Sequence, residues 1–481
     1  MRDAEHMTTQ RTGFVHADGT RLVDDHGPLL LRGVGLGNWL LPEGYMWRFG
    51  DALASPRQIE ARIDELVGAD AAAAFWTRFQ TEFVTERDVA MIAAQGFDHV
   101  RLPMNARVLQ TDEGELLERG LALVDRLIAW AARHGLRVLL DLHGAPGGQT
   151  GTNIDDSPRG MPELFMHADY RDRTIALWEA LARRYRDDET VLGYDLLNEP
   201  LPHEWQYRYN DELVALYRDL TDAVRGIDDR HLLMYEGSHW ATNWTPLKDR
   251  FDANQALQFH RYWCPPDRTS IAPYLAAREE LGTPIYMGEG GENTPAWIYA
   301  ATRLYERHDI GWNLWPWKKL DTLTSPLSMR VPAGWDLIAD PEAQIDAGRA
   351  AEILDDYLAA AAADACTVRT PVLDALFARA PLTLPGWAGA RHGEPALADT
   401  MSAPMADAVW DRPSGAPYAD GESPGAVLAP GDALRFAFAE RPGDWQVVAD
   451  HPGSVDARWN DGHVVVTAHA PAVVHAVSVR P

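Results

Sequence analysis

The chain of 481 residues is 46% apolar, which is enough to bury at least one large core. Its formal net charge is −27, without a run of five basic residues, whereas nucleic acids and anionic membranes need a basic footprint, so neither is an expected partner. Cys264 and Cys366 are too few for a disulfide framework and lack zinc-site spacing. The N-terminus has no apolar leader and no stretch is long enough to cross a bilayer, which predicts a reducing, cytoplasmic location.

Short β-type runs alternate with amphipathic helical runs from about residue 29 to about residue 363. Such alternation predicts a parallel sheet covered by helices. Eight units of this kind indicate an α/β fold of the (β/α)8 TIM-barrel type, because an open doubly wound sheet rarely has so many regular repeats. The predicted strands, in chain order, are 29–36, 98–104, 137–144, 191–200, 231–237, 256–263, 284–291 and 310–317.

The intervening helices have recognisable ends in two places. Thr85 is a suitable N-cap for a helix that ends before Gly96, and a helical run over 116–134 ends before Gly135. The connection 39–85 is much longer than an ordinary strand-to-helix loop, and long loops of this kind are often functional. It carries aromatic residues and a helical pattern, so it either walls a cleft or packs against the flank of the barrel.

From about residue 381 the composition shifts toward proline, glycine and aspartate, and three alternating runs follow between residues 434 and 470. This predicts a small C-terminal β-sandwich, to which we assign a structural role. Its tryptophans are expected in a core, with a sugar-binding platform as the alternative; they are Trp410, Trp445 and Trp459. The predicted boundaries are 1–13 for a disordered N-terminus, 14–365 for the barrel, 366–384 for a linker and 385–481 for the sandwich.

In such a barrel the functional residues lie at the C-terminal ends of the strands. Glu199 and Glu289 each end a predicted strand directly, whereas Glu292 follows three residues later, past two glycines, and is expected to be a loop residue. Two carboxylates on different strands supply the proton donor and the nucleophile that hydrolysis of a glycosidic bond requires. Further polar and aromatic residues at predicted strand ends are Arg101, His143, Asn198, Glu236, His260, Tyr262, Trp315, Trp317 and Lys318.

Electrostatics should divide the roles of the two glutamates. A glutamate that holds a proton near neutrality needs its pKa raised from about 4.3 to roughly 6–7, and a second ionised carboxylate nearby supplies much of that rise. The second carboxylate must then stay anionic. Arg101 and the hydroxyl group of Tyr262 suit that task if they lie beside Glu289.

Seven motifs on predicted strands, in this order along the chain, form a specific combination. They are RGVGLGNWL (32–40), GFDHVRLPMN (96–105), VLLDLHGAPGGQ (138–149), GYDLLNEP (193–200), FHRYW (259–263), PIYMGEGG (284–291) and GWNLWPWK (311–318). On these motifs the chain resembles glycoside hydrolase family 5, a family of retaining (β/α)8 glycosidases. Within it, the chain is most similar to the exo-β-glucanase and cellulase-like branches. The resemblance covers roughly residues 14–330.

The resemblance implies roles for the residues that match the family's motifs. Glu199 looks like the acid/base and Glu289 like the nucleophile. Arg101 matches the arginine beneath the nucleophile, and Asn198 matches the asparagine that binds the 2-hydroxyl group of the reacting sugar. The polar groups around that sugar and its aromatic floor are matched by His143, His260, Tyr262 and Trp315. The chain departs from many relatives at Gly290, where they have phenylalanine or tryptophan.

Two glycine-rich segments are poor matches to phosphate-binding loops. GVGLGN (33–38) lacks the full spacing of a dinucleotide loop and is not followed by a helix, and APGGQTG (145–151) lacks the lysine of a phosphate loop. The histidines show no local metal-binding pair, so we expect no metal and no cofactor. Each glycine-rich segment is instead expected to form a close backbone turn beside the cleft.

Three residues at or after the end of the fifth predicted strand have open assignments. Glu236 either rivals Glu289 as a carboxylate of the site, binds a substrate hydroxyl group, or pairs with a neighbouring cation. Trp240 and Trp244 offer stacking surfaces for a leaving-group sugar, with a packed loop as the alternative.

These features predict a retaining β-glycosidase that works by double displacement. The absence of a leader segment favours imported oligosaccharides or small β-glucosides over polymers, and hence exo action. Two alternatives stay open: an endo-β-glucanase of the cellulase type, and a non-catalytic carbohydrate-binding protein on the same scaffold. Binding alone does not require a matched acid and nucleophile, so the presence of both glutamates with Arg101 and Tyr262 speaks against the second. The expected partner is a carbohydrate substrate.

Overall fold

The protein consists of a closed, eight-stranded parallel barrel followed by a C-terminal pair of antiparallel sheets. The computed structural model describes residues 13–391, 394–395, 412–416, 423 and 425–481. Neighbouring strands of the barrel follow the chain, and β8 pairs with β1 to close it, which confirms the (β/α)8 prediction. The barrel strands are β1 Arg32–Gly35, β2 His99–Asn105, β3 Arg137–Gly144, β4 Val191–Asp195, β5 Leu232–Glu236, β6 Gln255–Tyr262, β7 Ile285–Gly291 and β8 Gly311–Trp315.

The two helices with recognisable ends in the sequence are present, and both end where predicted. Thr85 forms a capping box with Asp88 at the start of α3, and Gly96 and Gly135 are the C-terminal caps of α3 and α5. None of the helices in the described ranges is both long and apolar enough to cross a bilayer. The helices are α1 Pro56–Val67, α2 Ala69–Glu82, α3 Glu86–Gln95, α4 Ala106–Leu109, α5 Glu118–His134, α6 Ala168–Tyr185, α7 Asn210–Arg225, α8 Arg268–Leu281, α9 Pro295–Arg307, α10 Trp335–Ala339, α11 Ala347–Ala361 and α12 Thr370–Phe377.

One βα unit differs from the prediction. Residues 237–254, which are described throughout, connect β5 to β6 without a helix. Trp244 covers this flank instead: its indole ring packs edge-on against Tyr274, with ring centroids 4.7 Å apart, and its Nε1–H donates to the Gln258 carbonyl. Trp244 is therefore part of a packed loop and not a sugar-stacking surface. The predicted alternation of strand and helix is wrong at this unit, where a partly buried tryptophan packs against the core in place of a helix.

The long connection after β1 meets both of its predicted alternatives. Most of it packs on the barrel flank as α1 and α2, where Trp47 stacks on Tyr357 of α11 with ring centroids 4.6 Å apart. Tyr45, two residues earlier, instead reaches the functional end of the barrel, where its hydroxyl accepts a hydrogen bond from Trp315. One loop thus supplies both core packing and part of the cleft.

A small antiparallel sheet precedes β1 and covers the N-terminal end of the barrel. Val15 and Leu22 of this region join a buried cluster with Leu139 and Tyr286 of the barrel strands. The prediction of disorder for residues 1–13 falls outside the described residues, apart from Gly13. The strands of the sheet are His16–Asp18, Arg21–Asp24 and Gly27–Pro28.

The C-terminal region forms two antiparallel sheets, which confirms the predicted β-sandwich. Residues 366–384, predicted as a linker, contain α12 and the start of a sandwich strand. Leu376 and other apolar side chains of α12 are buried, so this segment packs as part of the folded structure. Trp445 and Trp459 pack partly buried against the core, and Trp410 lies outside the described residues. One sheet contains Leu382–Pro385, Ala426–Leu428, Asp444–Ala449 and Ala472–Arg480; the other contains Ala390–Arg391, Glu394–Pro395, Ala433–Ala437, Val455–Asn460 and His463–Ala468.

Three further short strands, Lys318–Leu320, Leu327–Met329 and Thr367–Val368, form a separate sheet after β8.

Candidate active site

Glu199 and Glu289 lie together in a cavity of about 440 Å³ at the C-terminal end of the barrel. Glu289 belongs to β7, and Glu199 follows β4 by four residues. One oxygen of each carboxylate and a ring nitrogen of His260 all lie within 4.8 Å of one another. Parallel strands end at the same rim of a barrel, which is why residues ninety positions apart in the sequence meet here.

Glu289 is held by two donors, Tyr262 from the neighbouring strand β6 and Arg101 from β2. Arg101 donates through Nη1 to Oε1, and the Tyr262 hydroxyl donates to Oε2 at 3.0 Å. Burial raises the pKa of Glu289, while the charges of His260 and Arg101 oppose that rise. Burial therefore works against the charge of the carboxylate that Arg101 and Tyr262 hold. Burial costs an ionised carboxylate its solvation, and these donors replace part of it.

Arg101 is fully buried and is shared by several acids beneath the cavity. Its guanidinium contacts Asp195 at 2.8 Å and Asp141 at 3.2 Å, besides Glu289 and Glu236. Burial alone would disfavour the charge of Arg101, but Asp141 and Asp195 outweigh it and raise its pKa. Burial also raises the pKa of both aspartates to about 8, and Arg101 opposes this shift. The cation therefore organises the whole inner layer and not Glu289 alone.

Glu199 is held by its backbone as well as by its side chain. It adopts a φ of 44°, which is uncommon for a residue with a side chain and is typical of constrained functional positions. Its N–H donates to Oε2 of Glu236 at 2.6 Å. Its own carboxylate oxygen Oε1 lies 2.6 Å from Nδ1 of His260. Glu236 thus positions Glu199 from below.

His260 lies between three carboxylates. Burial would lower the pKa of His260, but the charges of Glu236 and Glu289 and the hydrogen bond with Glu199 raise it well above its usual range. A charged imidazole donates Nδ1–H to Glu199 and faces Glu236 through Nε2 at 3.2 Å. In turn, burial works to raise the pKa of Glu236, and His260 and Arg101 outweigh it and lower that pKa.

An aromatic floor lies at the other side of the cavity. The rings of His143 and Trp315 stack 5.4 Å apart at an interplanar angle of 6°. Trp315 donates its Nε1–H to the Tyr45 hydroxyl at 2.8 Å, which fixes the indole plane. A Cβ atom at Gly35 would lie 2.5 Å from this indole ring, and one at Gly37 would lie 2.7 Å from it. The glycines of segment 33–38 therefore provide space for the indole ring of Trp315.

The predicted site residues fall into three groups. Those that line the cavity are His143, Glu199, Trp240, Tyr262, Glu289 and Trp315. Those that lie buried beneath it and hold the first group are Arg101, Asn198, Glu236 and His260. Two lie elsewhere and are corrected here, namely Trp317 and Lys318.

Trp317 and Lys318 were predicted to bind substrate, but both contact the outer helices instead. The indole N–H of Trp317 and the ammonium group of Lys318 both bind Oδ1 of Asp88 in α3, at 3.1 and 2.7 Å. Strand β8 ends at Trp315, and residues 318–320 pair with another strand, so the inward alternation of β8 does not continue. Both side chains therefore stabilise the contact between the barrel and its helical layer.

Several cavity residues were not predicted. Glu43, in the loop after β1, is 2% exposed, and its Oε1 has no hydrogen-bond partner among the described residues. Burial raises the pKa of Glu43 well above its usual range, and the charges of Glu289 and Glu199 add to this rise. Glu292, set aside as a loop residue, lies in the cavity wall with its carboxylate paired to Lys319. The further apolar members of the cavity are Trp263 and Pro413, which are exposed, and Ile154, which is partly buried.

Gly290, the departure from many relatives, has a local cause. A Cβ atom there would lie 2.8 Å from the Arg261 carbonyl oxygen and 2.9 Å from the sulfur of Met287. A phenylalanine or tryptophan at this position would require both neighbours to move.

Two larger clefts, of about 780 and 610 Å³, lie beside the loops around Arg107. Neither contains Glu199 or Glu289. Arg107 itself is paired with Glu60 and Asp156, so its charge is already balanced. Both glutamates line the smaller cavity of about 440 Å³ instead.

Comparison with known proteins agrees with this geometry. The family model described as Cellulase (glycosyl hydrolase family 5) matches residues 65–321, more than half of the chain. A β-xylosidase of Phanerodontia chrysosporium is 33% identical over 255 residues, 52% of this chain and 52% of that protein. A "Probable glucan 1,3-beta-glucosidase A" of Emericella nidulans is 35% identical over 236 residues, 48% of this chain and 57% of its own length. The chain spans about half the length of these curated relatives.

A solved structure is similar over nearly the whole chain. A crystal structure of an endogalactoceramidase superposes with a TM-score of 0.53 at 16% identity, covering 97% of this chain and 100% of that one. At this identity the similarity establishes the fold alone, and its coverage includes the C-terminal sheets as well as the barrel. Because the family model spans β2 to β8 and includes both glutamates of the cavity, the chain belongs to glycosyl hydrolase family 5.

Proposed function

We propose that the protein is a retaining β-glycosidase, exo-acting on β-glucosides or short β-gluco-oligosaccharides, with Glu199 as acid/base and Glu289 as nucleophile. The observation that carries the proposal is the facing pair of carboxylates, one oxygen of each within 4.8 Å, in one cavity. Retaining glycosidases keep their carboxyl groups about 5–5.5 Å apart, whereas inverting enzymes leave a wider gap for water. The names of the β-xylosidase and glucan β-glucosidase relatives agree with a β-glycosidic substrate.

In the first step Glu289 attacks the anomeric carbon while Glu199 protonates the leaving oxygen. The hydrogen bonds from Arg101 and Tyr262 favour the ionised form of Glu289 that attack requires. His260, whose Nδ1 lies 2.6 Å from Oε1 of Glu199, fixes the orientation of the carboxyl group that acts as the acid. The product of this step is a glycosyl ester on Glu289, and the protonated leaving group departs.

In the second step water cleaves the ester. Glu199, now deprotonated, removes a proton from the water as it attacks the anomeric carbon, and Glu289 leaves as a carboxylate. The backbone of Glu199, fixed by Glu236 and by its constrained φ, holds the same oxygen in place for both steps. Two inversions at one carbon give net retention.

Trapping of the intermediate tests this mechanism. A 2-deoxy-2-fluoro-β-glucoside with a good leaving group should inactivate the enzyme, because fluorine slows the second step more than an activated first step. Mass spectrometry of a proteolytic digest should then locate one sugar on Glu289. A label on Glu199 or Glu292, or a product of inverted configuration in NMR, would contradict the assignment.

Glu43 supports recognition of the reacting sugar. Its Oε1 accepts no hydrogen bond from the described residues and lies 3.9 Å from Nε2 of His143, so this oxygen suits a hydrogen bond with a sugar hydroxyl group, which would satisfy a buried polar atom. Glu43→Ala is expected to lower kcat/KM for β-glucosides by about 10- to 100-fold, mainly through KM. Steady-state kinetics check this, with Asp51→Ala, an exposed acid of the same loop, as the control. Equal effects of the two substitutions would contradict this role.

Exo action rests on the walls of the cavity. Residues from the loops after β1, β3, β5 and β8 and from segment 412–416 all line it, which favours a pocket for a chain end over an open groove. An exo enzyme should release glucose from a soluble β-glucan with little early loss of viscosity. A rapid fall in viscosity before glucose accumulates would favour the endo-glucanase alternative.

A further inference from the structure

Segment 412–416 brings a part of the C-terminal region to the barrel's functional end. Its Pro413 lines the same cavity as Glu199 and Glu289. In the chain this segment falls between the sandwich strands Glu394–Pro395 and Ala426–Leu428. The C-terminal sheets were assigned a purely structural role from the sequence, and this contact gives the region a place in the site.

Gly415 seats the segment on the rim of the barrel. It is buried, with a φ of +65°, and an added Cβ atom would lie 2.4 Å from the Thr324 methyl group and 3.2 Å from the Asn293 carbonyl oxygen. Thr324 follows β8 and Asn293 follows β7, so the segment rests on the loops beside the nucleophile. The turn is closed by a hydrogen bond from the Gly415 N–H to the Arg412 carbonyl at 2.8 Å.

Pro413 extends an apolar wall. Trp240 and Trp263 line the same cavity and are 37% and 44% exposed, which is high for tryptophan, and Ile154 lines it as well. The Trp263 N–H is already bonded to the Glu292 carbonyl, so its indole presents an apolar face. Exposed apolar side chains gathered at a cleft mark a binding surface.

Trp240 places one end of the wall on the side of the acid. The N–H of His239, next to Trp240, donates to the carbonyl of Leu201, two residues after Glu199, at 2.7 Å. A leaving group protonated by Glu199 must pass along this side. His143 and Glu43 add polar groups to the lining that suit the sugar. The cavity lining thus contains both polar groups and exposed apolar side chains.

We propose that Pro413, Ile154, Trp240 and Trp263 form a binding wall for an apolar aglycone, with Gly415 as the residue that positions Pro413. The inference rests on the proposed function, because it assigns the leaving-group side of that site. The wall offers alkyl or ring surfaces apolar contact and few hydrogen-bonding groups, so it selects an alkyl or other apolar aglycone over a second sugar.

Binding of non-hydrolysable thioglycosides tests the wall without requiring turnover. Calorimetry should show that n-octyl β-thioglucoside, below its micelle concentration, binds at least about tenfold more tightly than methyl β-thioglucoside. Gly415→Val should reduce this ratio about fivefold by displacing the segment, and Pro413→Ser should reduce it in the same direction without a backbone clash. Gly462→Val is the matched control, since Gly462 has a φ of +73° in the same region with open space around it.

Kinetics provide the second readout. The ratio of kcat/KM for octyl β-glucoside to that for β-glucosyl fluoride, whose leaving group does not reach the wall, should fall in both segment variants, mainly through KM. Equal binding of the octyl and methyl thioglycosides, or an equal effect of Gly415→Val and Gly462→Val, would overturn the wall. Failure of the wild-type enzyme to hydrolyse glucosyl fluoride would instead overturn the proposed function, and the thioglycoside ratio would still decide the wall.

Discussion

Glu289→Gln is expected to lower kcat/KM for β-glucosides by about 10⁴-fold or more, as loss of a covalent nucleophile does in other hydrolases. The amide keeps the shape of the carboxylate but cannot form the glycosyl ester. Because both donors to Glu289, Arg101 and Tyr262, remain in place, the cavity should keep its geometry. Steady-state kinetics on aryl β-glucosides measure the loss, and a thermal unfolding curve shows whether the fold is intact.

Glu292→Gln is the control for this substitution. Glu292 lies in the same wall three residues later, is also buried, and is paired with Lys319 instead of Arg101. Removal of its charge should cost no more than about tenfold in kcat/KM, since a wall residue contributes binding without a bond to the anomeric carbon. If Glu292→Gln abolished activity and Glu289→Gln did not, the nucleophile would be misassigned.

Glu199→Ala is expected to produce an effect that depends on the leaving group. Substrates that need protonation, such as alkyl β-glucosides and cellobiose, should lose about 10²- to 10⁴-fold in kcat/KM. Dinitrophenyl β-glucoside, whose leaving group needs no acid, should keep most of its kcat/KM but lose kcat, because hydrolysis of the ester lacks its base. Sodium azide should restore kcat and yield the β-glycosyl azide.

A variant of the same loop controls for this result. Glu204 lies five residues after Glu199 and is exposed, so Glu204→Gln should leave every substrate within about twofold. A uniform loss across all leaving groups in Glu199→Ala, with no response to azide, would indicate a structural role for Glu199. Its contact with His260 makes this comparison necessary, because removal of the carboxylate also leaves a buried imidazolium with one partner fewer.

The barrel could be predicted because its strands are buried on both faces and read as apolar runs with turn residues between them. The placement of Glu199 and Glu289 followed from the same pattern, since parallel strands bring their C-terminal ends to one rim. Arg101, Asn198 and His260 were predicted by their position at those ends. Their position beneath the cavity, where they support the residues that line it, could not be predicted. The place of a residue along a strand does not tell how deeply its side chain is buried.

The loop residues could not be predicted for a related reason. Glu43 lies in the loop after β1, and Pro413 lies in the C-terminal region beyond the barrel. The path of such loops cannot be predicted from the periodicity of apolar residues. Trp317 and Lys318 were misplaced because the sequence does not mark the point where β8 ends and the inward alternation stops. The absence of a helix after β5 could not be predicted either. In the sequence Trp244 looks like a surface residue of a loop, but it packs partly buried against the core.

The floor of the cavity depends on two positions that carry no functional group. Trp315 occupies the volume that side chains at Gly35 and Gly37 would fill. The position of its indole ring therefore depends on both residues being glycine. A single methyl group at either position would tilt the ring away from its partners, His143 and Tyr45. Tolerance to substitution in this enzyme should therefore be lowest not only at the acids but also at residues that never meet the sugar.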